Sequence, residues 1–257
     1  MNKKTPRIRE VPAVTRAVSI LRLLSKSPTP LPLKTIAEDL GLIPSTALHI
    51  LRALLAEQLV KLDPQTRRYA LGVGLLPLAR ALLEHSDFPA LVRPKLDEIS
   101  QNHAVTAIAT EVPDLTRMIV VALASAPGPV RLHVDVGSRF PALIHAVGRC
   151  VAAFSDVPWD EIEQRFYTLK WKNGPDFETW SNEVEAVRRQ GYSIDSKNYF
   201  DGMTLVAVPV LNYEGTITHT LAAVGITSQL NRTQAKALAV DMRDAAKRLS
   251  DQLISGV

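Results

Sequence analysis

Apolar residues recur at three- and four-residue spacing in two runs near the start of the chain. They are Ile36, Ala37 and Leu40 in the first run and Leu48, Leu51 and Leu55 in the second. This spacing predicts two helices that each bury one face. Gly41 separates the runs and suits a turn, and the Pro-Ser-Thr segment 44–46 favours a helix start. The pattern predicts a helix-turn-helix over 33–54, with Thr46, His49 and Ala53 facing away from the leucines.

Two short runs of strand type follow the second helix. Residues 59–62 and 68–71 are separated by Asp63-Pro64-Gln65-Thr66-Arg67, which predicts a hairpin turn. A further helix is predicted over about 13–26, from the helical spacing of Val14, Val18, Leu21 and Leu24. Three helices and a hairpin that carries Arg67 and Arg68 predict a winged helix, which is typical of DNA-binding proteins. A structural helical corner is the alternative.

Eight residues of this region are predicted to contact DNA. They are Lys34, Thr35, Ser45, Thr46, His49, Arg52, Arg67 and Arg68. Thr46 or His49 is expected to reach a base edge and Ser45 a phosphate, with helix capping as the alternative for Ser45. The two wing arginines are expected to contact phosphates rather than form an ordinary solvated pair. Lys34 and Thr35 could hold a phosphate at the start of their helix, or have only a capping or exposed role.

Charge is divided unequally along the chain. Residues 1–80 contain 13 Lys and Arg against 5 Asp and Glu, a net +8, whereas the remaining 177 residues contain 17 against 21, a net −4. Only the first part therefore favours a polyanionic partner. We expect a basic flexible arm over 1–12, a winged helix over 13–72, a linker helix over 73–87 and a second domain over 88–257.

Strand and helix patterns alternate in the second domain. Strands are predicted at Val105–Val112, Arg117–Ala124, Val130–Val134, Tyr192–Asp195, Leu205–Leu211 and Thr216–Ile226. A helix is expected through Leu91, Leu96 and Ile99 to about His103, and others at about 145–154, 158–169, 177–190 and 231–254. Adjacent hairpins with a helix at each end indicate an α+β fold with a largely antiparallel sheet.

Several classes of protein are not supported by the sequence. The basic start lacks the apolar core of a secretory signal and no run suits a membrane span, so we expect a cytoplasmic protein with no membrane partner. Cys150 is the single cysteine and is interpreted as a buried structural residue. His133, His145 and His219 lack the spacing of a metal site, and we expect no cofactor. Neither a glycine-rich phosphate loop nor a compact nucleophile, base and acid set is visible, so we expect no enzyme.

Several motifs in order resemble those of the IclR-type bacterial transcriptional regulators, over roughly residues 13–254. Behind the winged helix and an apolar linker come Val136-Gly137-Ser138-Arg139-Phe140-Pro141, Ala146-Val147-Gly148-Arg149, Gly191-Tyr192 and Ala207-Val208-Pro209-Val210. The resemblance implies a GAF-like effector-binding domain. It also implies homodimers, or dimers of dimers, on palindromic operator DNA, and no catalysis. The expected function is ligand-responsive control of a catabolic pathway. The alternatives are an effector-independent DNA-binding protein and an enzyme fused to a DNA-binding module.

The resemblance also implies where an effector binds. Backbone N–H groups at the helix start that matches 145–148 would hold a small, often anionic effector, and side chains from the sheet would complete the pocket. The implied residues are His145, Ala146, Val147, Asp195, Asn198, Leu205, Ala207, Ala222 and Val224. Many relatives carry more polar residues at several of these positions, so this pocket is expected to be more apolar. A small organic or aromatic acid is the expected effector, with a neutral compound as the alternative.

Three tryptophans lie close together in the sequence of the second domain. Trp159, Trp171 and Trp180 fall within one 22-residue span. They could cover the effector pocket or form an interface. Packing in the core of amphipathic helices is the alternative.

Overall fold

Three helices and a small sheet form the first part of the chain in the computed structural model, which describes residues 11–85, 87–125, 134–171, 173–196 and 202–255. In order, the elements are α1 Pro12–Lys26, β1 Leu31–Pro32, α2 Leu33–Asp39, α3 Pro44–Ala56, β2 Val60–Leu62, β3 Arg68–Leu71 and α4 Leu75–His85. Strand β3 lies between β1 and β2 and pairs antiparallel with both. The predicted winged helix is confirmed, and β1 is a strand that the sequence pattern did not predict.

The turn of the helix-turn-helix depends on Gly41. Its φ of +60° lies in the left-handed region, which costs glycine little. The turn is closed by the Leu42 N–H, which donates to the Ala37 carbonyl at 2.8 Å. Ile36 and Leu51 then pack with Ile20 of α1 in a shared apolar core.

The buried face of α3 differs by one residue from the predicted face. Ala47, Leu51 and Leu54 are buried, whereas Leu48 and Leu55 are only half-buried. Each of these two leucines follows a buried residue and therefore lies about 100° further around the helix, at the edge of the core contact.

The second part of the chain is built on a six-stranded sheet. Its elements are α5 Asp87–His103, β4 Thr106–Glu111, β5 Arg117–Ser125, β6 Arg139–Pro141, α6 His145–Phe154, α7 Trp159–Phe166, α8 Phe177–Gln190, β7 Ser193–Asp195, β8 Met203–Leu211, β9 Ile217–Ile226 and α9 Arg232–Ser255. The strand order is β6-β5-β4-β9-β8-β7, and all neighbouring strands are antiparallel. The predicted α+β class is confirmed. The short β6 was not predicted, and most of the strand expected at Val130–Val134 lies outside the described residues.

Alternate residues of the central strands face two separate cores. Val206 and Ala223 contact the core that contains α5 and α9, whereas Leu205 and Ala222 face the core that contains α6, α7 and α8. This two-residue period places helices on both faces of the sheet.

Contacts divide the chain into two units, with the boundary between His85 and Ser86. Within the described residues, no single helix is long and apolar enough to cross a membrane. Helices α2 and α3 reach that length and composition only when taken together, and they are bent by 113° at the turn between them.

Candidate DNA-binding surface and effector site

One face of α3 is exposed and polar. Ser45, His49 and Arg52 follow one another at four- and three-residue spacing, so they form a single stripe along the helix. All three are exposed, and Thr46 beside them is half-buried. The stripe is about 10 Å long at 1.5 Å per residue, a length that fits within a major groove.

The start of α3 has no side-chain cap. Ile43 is the N-cap residue and makes no side-chain capping bond, and Pro44 occupies the first turn. The capping interpretation of Ser45 is therefore wrong. The helix already begins at Pro44, so Ser45 lies inside its first turn and not at the N-cap. Ile43 itself is 70% exposed at this end of the helix. The sequence pattern did not single it out, since an isoleucine between Leu42 and Pro44 lies outside the helical period of the two runs.

The two wing arginines have different surroundings. Arg68 donates from Nη1 to the Pro30 carbonyl at 3.2 Å and so ties β3 to the segment before α2. Arg67 lies at the tip of the hairpin, exposed and with a φ of +54°. The Asp63 carboxylate shapes this turn by accepting the Gln65 and Thr66 N–H groups at 2.8 and 2.9 Å, and these bonds lower the pKa of Asp63. Arg67 is thus the more accessible cation of the pair.

The predicted residues of α2 lie at its first turn. Lys34 is exposed and its Nζ is 3.8 Å from the Glu38 carboxylate, one turn along the helix. Thr35 is half-buried. Neither residue caps α2, because its N-cap is Pro32 and no side-chain capping bond is made there.

The predicted effector residues that the structure describes come together around the start of α6. Asp195, Leu205 and Val224 lie side by side on β7, β8 and β9. Ala207 and Ala222 form the adjacent pair on the same face of the sheet. That face packs against α6, which begins with His145, Ala146 and Val147. Asn198 and His133 lie outside the described residues.

The start of α6 is tightly constrained. A Cβ on Gly148 would lie 2.0 Å from the Leu143 carbonyl carbon, so only glycine fits where the chain turns into the helix. The N-cap residue is Ile144, which contributes no side-chain capping bond. The N–H groups of a first helical turn have no acceptor within the helix, so Ala146 and Val147 present donors at this end.

His145 is held in an unusual environment. It has a φ of +58°, which is uncommon for a residue with a side chain, and it is buried. Burial lowers the pKa of His145 to about 4; the nearby Asp195 carboxylate opposes this effect and the Arg149 guanidinium adds to it. The imidazole is therefore neutral at pH 7.

Arg149 is the principal residue of this site that the sequence pattern did not identify. It is 2% exposed, its Nε is 2.5 Å from the Glu183 carboxylate and its Nη1 is 3.3 Å from that of Asp195. The guanidinium thus joins α6 to α8 and β7. A signal was present, because a single arginine inside the apolar helix 145–154 must find a counter-charge if that helix is buried.

Cys150 and Trp180 have structural environments. The Cys150 thiol is buried, which raises its pKa to about 12, and its Sγ lies 3.5 Å from the Ala207 carbonyl. The interpretation as a buried cysteine is confirmed. Trp180 is also fully buried and stacks against Trp159 with ring centroids 6.0 Å apart, as expected for core packing. Among the described residues, no cluster of three potential metal ligands is found.

We expect the free energy of unfolding of the second unit to decrease as the pH falls from 6.5 to 4, because His145 is buried. In this window the unfolded chain binds a proton that the folded protein does not, because the folded pKa is about 4. The free energy of unfolding should fall by up to about 1.4 kcal/mol per pH unit from this residue. Urea unfolding followed by tryptophan fluorescence measures it, since Trp159, Trp171 and Trp180 all lie in this unit.

The His145→Asn variant isolates the effect of this histidine, because asparagine tolerates the left-handed backbone. Its pH slope should be shallower than that of the unmodified protein. His219→Gln should act similarly, since burial also lowers the pKa of His219 to about 4. An unchanged slope in His145→Asn would contradict the assignment.

Comparisons with known proteins agree with both parts of the structure. The IclR helix-turn-helix domain family matches residues 13–64, and the family of bacterial transcriptional regulator IclR C-terminal domains matches residues 80–251. The chain is 28% identical to a glycerol operon regulatory protein of Streptomyces griseus over 254 residues, which cover 96% of this chain and 98% of the relative.

Solved structures show the same architecture. An IclR transcriptional regulator from Alicyclobacillus acidocaldarius is 30% identical with a TM-score of 0.81, covering 95% of this chain and 99% of that one. An IclR homologue from Microbacterium hydrocarbonoxydans, crystallised with 4-hydroxybenzoate, shares the fold with a TM-score of 0.76 at 20% identity, covering 94% and 98%. The chain therefore belongs to the IclR family of bacterial transcriptional regulators.

Proposed function

We propose that a small organic acid, most simply an aromatic one, binds at the start of α6 and changes the affinity of the winged helix for operator DNA. The observation that carries the proposal is the convergence of the residues around α6. His145, Ala146 and Val147 meet the sheet face that holds Leu205 and Ala222, although these segments lie far apart in the sequence. The protein acts in this proposal as a regulator without catalytic activity.

The chemistry of the site supports an acid with an apolar body. Four of the sheet residues, Leu205, Ala207, Ala222 and Val224, are apolar. The N–H groups at the start of a helix favour a carboxylate. The 4-hydroxybenzoate bound by the Microbacterium homologue is an acid of this kind.

DNA contact is proposed for the exposed stripe Ser45, His49 and Arg52, together with Thr46, Lys34, Thr35 and the wing arginines. The stripe supplies hydroxyl, imidazole and guanidinium groups on a helix that fits the major groove. The Arg68 guanidinium already donates a hydrogen bond to the Pro30 carbonyl, so Arg67 is the stronger candidate for a phosphate contact.

Self-association is proposed for the region around α4. Val73, Leu76 and Leu78 are all strongly exposed apolar residues, and exposed apolar side chains grouped in one segment favour an interface. A homodimer or a dimer of dimers would present paired winged helices. A palindromic operator matches that symmetry.

Binding of 4-hydroxybenzoate and of a panel of aromatic and aliphatic acids tests the proposal. An effector at about 100 times its Kd should add about 2.7 kcal/mol to the free energy of unfolding and raise the melting temperature. The same compound should change the Kd for operator DNA, measured by fluorescence anisotropy with a fragment selected by the protein itself. Ala222→Val should weaken both responses together by placing a larger side chain on the sheet face that meets the start of α6.

The control for the position of the site is Ala90→Val, because Ala90 is exposed on α5 outside the cluster around α6. This variant should respond like the unmodified protein. An acid that binds tightly yet leaves the operator Kd unchanged would refute the coupling between the two units. Failure of every acid to raise the melting temperature would favour an effector-independent DNA-binding protein.

A further inference from the structure

A groove lies at the edge of the sheet, between β7 and the start of α9. Its volume is about 690 Å³, within the range of small-molecule sites. Tyr192 and Leu230, which line it, belong to the core beneath α9. Thr204 lies next to Leu205 on β8 and therefore points to the opposite face of the sheet. The groove is thus separated by the sheet from the residues around α6.

The floor of the groove is buried and carries hydroxyl groups. Thr204 is 1% exposed, and its Oγ1 donates to Oγ1 of Thr227 at 3.1 Å. Tyr192 and Leu230 are also buried there. Hydroxyl groups can both donate and accept hydrogen bonds, so this floor matches a ligand that itself carries hydroxyls.

The rim of the groove is cationic. Arg232 and Lys236 lie one turn apart on α9 and are both exposed. The same two residues line an adjoining depression of about 410 Å³. None of the described residues that line either space is acidic. The Asn231 side chain accepts the Thr233 and Gln234 N–H groups, so the start of α9 is already capped and the positive charge comes from the two side chains.

We propose that this groove is a second ligand site, for a small hydroxylated anion such as a sugar phosphate or a sugar acid. Arg232 and Lys236 bind the anionic group, and Thr204, Thr227 and Tyr192 bind the hydroxyls. Ile194 and Ser196 also line the groove, and they flank Asp195, whose carboxylate faces Arg149 on the other side of β7. Occupancy of the groove therefore acts on the same strand as the site around α6.

Isothermal titration calorimetry on the full chain tests the site with four probes. Glucose 6-phosphate and gluconate represent the two anionic groups, and glucose and inorganic phosphate each lack half of the proposed chemistry. We expect at least one of the two sugar anions to bind about tenfold or more tightly than glucose and inorganic phosphate, because hydrogen bonds to charged groups are the strong ones. The preferred sugar anion distinguishes a phosphate from a carboxylate ligand.

Variants locate the binding in the groove. Arg232→Gln combined with Lys236→Gln should weaken binding about tenfold or more. The matched control is Lys247→Gln combined with Arg248→Gln, which removes the same charge further along α9 and should leave binding unchanged. Thr204→Val should weaken binding without a change in melting temperature large enough to indicate unfolding.

Four results would each overturn the proposal. They are an absence of binding by both sugar anions, equal binding of glucose, equal binding of inorganic phosphate, and unchanged binding in the Arg232 and Lys236 double variant. Loss of binding in Arg52→Gln and Arg67→Gln would assign the anion to the DNA-binding surface instead. Gluconate is itself a small organic acid, so binding that persists in the Arg232 and Lys236 double variant but weakens in Ala222→Val would belong to the site around α6. That result would overturn the groove proposal and support the proposed function.

Discussion

Replacing Arg149 with methionine should lower the free energy of unfolding of the second unit by about 3–5 kcal/mol at pH 7. Arg149 and Asp195 are both buried, with Nη1 and the carboxylate 3.3 Å apart. The variant removes the guanidinium and leaves the carboxylate of Asp195 in an environment that disfavours charge. Urea unfolding followed by tryptophan fluorescence measures the loss in this unit alone, because all the tryptophans lie there.

A neutral residue at position 195 identifies the cause of that loss, because it removes the charge that Arg149→Met leaves buried. The double variant Arg149→Met with Asp195→Asn should be more stable than Arg149→Met at pH 7, since no charge is then buried.

An exposed ion pair provides the control. Arg93 and Asp97 lie one turn apart on α5 with 58% and 44% of their side chains exposed, so Arg93→Met should cost less than about 1 kcal/mol. A similarly small cost for Arg149→Met would show that the buried pair does not stabilise the unit. The free-energy changes of Arg149→Met and Asp195→Asn should not add up to that of the double variant. Additive changes would show that Arg149 and Asp195 do not interact.

Local patterns were sufficient for most of the fold. Helix α3 and strands β8 and β9 are long runs of mainly apolar residues, so their type and approximate ends could be predicted from neighbouring residues alone. Strand β1 could not, because its two residues become a strand only by pairing with β3 some 37 residues later. The same limitation applies to β6, which has three residues and pairs only with β5.

Some residues of the candidate effector site were predicted from the sequence and others were not. Ala146, Val147 and Ala207 lie in motifs on which the resemblance to the IclR family rests, and that resemblance implied them and the other sheet residues as effector contacts. Arg149 lies inside one of those motifs, yet its partners Glu183 and Asp195 are 34 and 46 residues away. The sequence therefore signals that Arg149 needs a counter-charge, but no local pattern identifies the residues that supply it. The capping alternative for Ser45 was wrong for a related reason, since the position of the helix cap depends on where Ile43 and Pro44 place the backbone.

Substitutions on the exposed stripe of α3 should separate base recognition from phosphate contact. His49→Ala should weaken binding to the preferred operator by about 1–3 kcal/mol for each winged helix bound, which is about fivefold to more than 100-fold, and should have little effect on unrelated DNA. His49 is exposed at the centre of the stripe, where a side chain can reach a base edge. Fluorescence anisotropy with both DNAs at one salt concentration gives the comparison.

Arg67→Gln should act differently because its guanidinium lies at the tip of the wing. We expect affinity to fall by a similar factor on operator and unrelated DNA, and the slope of log K against log salt to become shallower by about 1 for each phosphate that the variant no longer neutralises. Arg189→Gln removes an equal charge from an exposed position at the end of α8 and should leave both quantities unchanged. An unchanged salt slope in Arg67→Gln would contradict a phosphate contact by the wing. Equal losses of affinity for both DNAs in His49→Ala would show that His49 positions the helix on DNA and does not read a base.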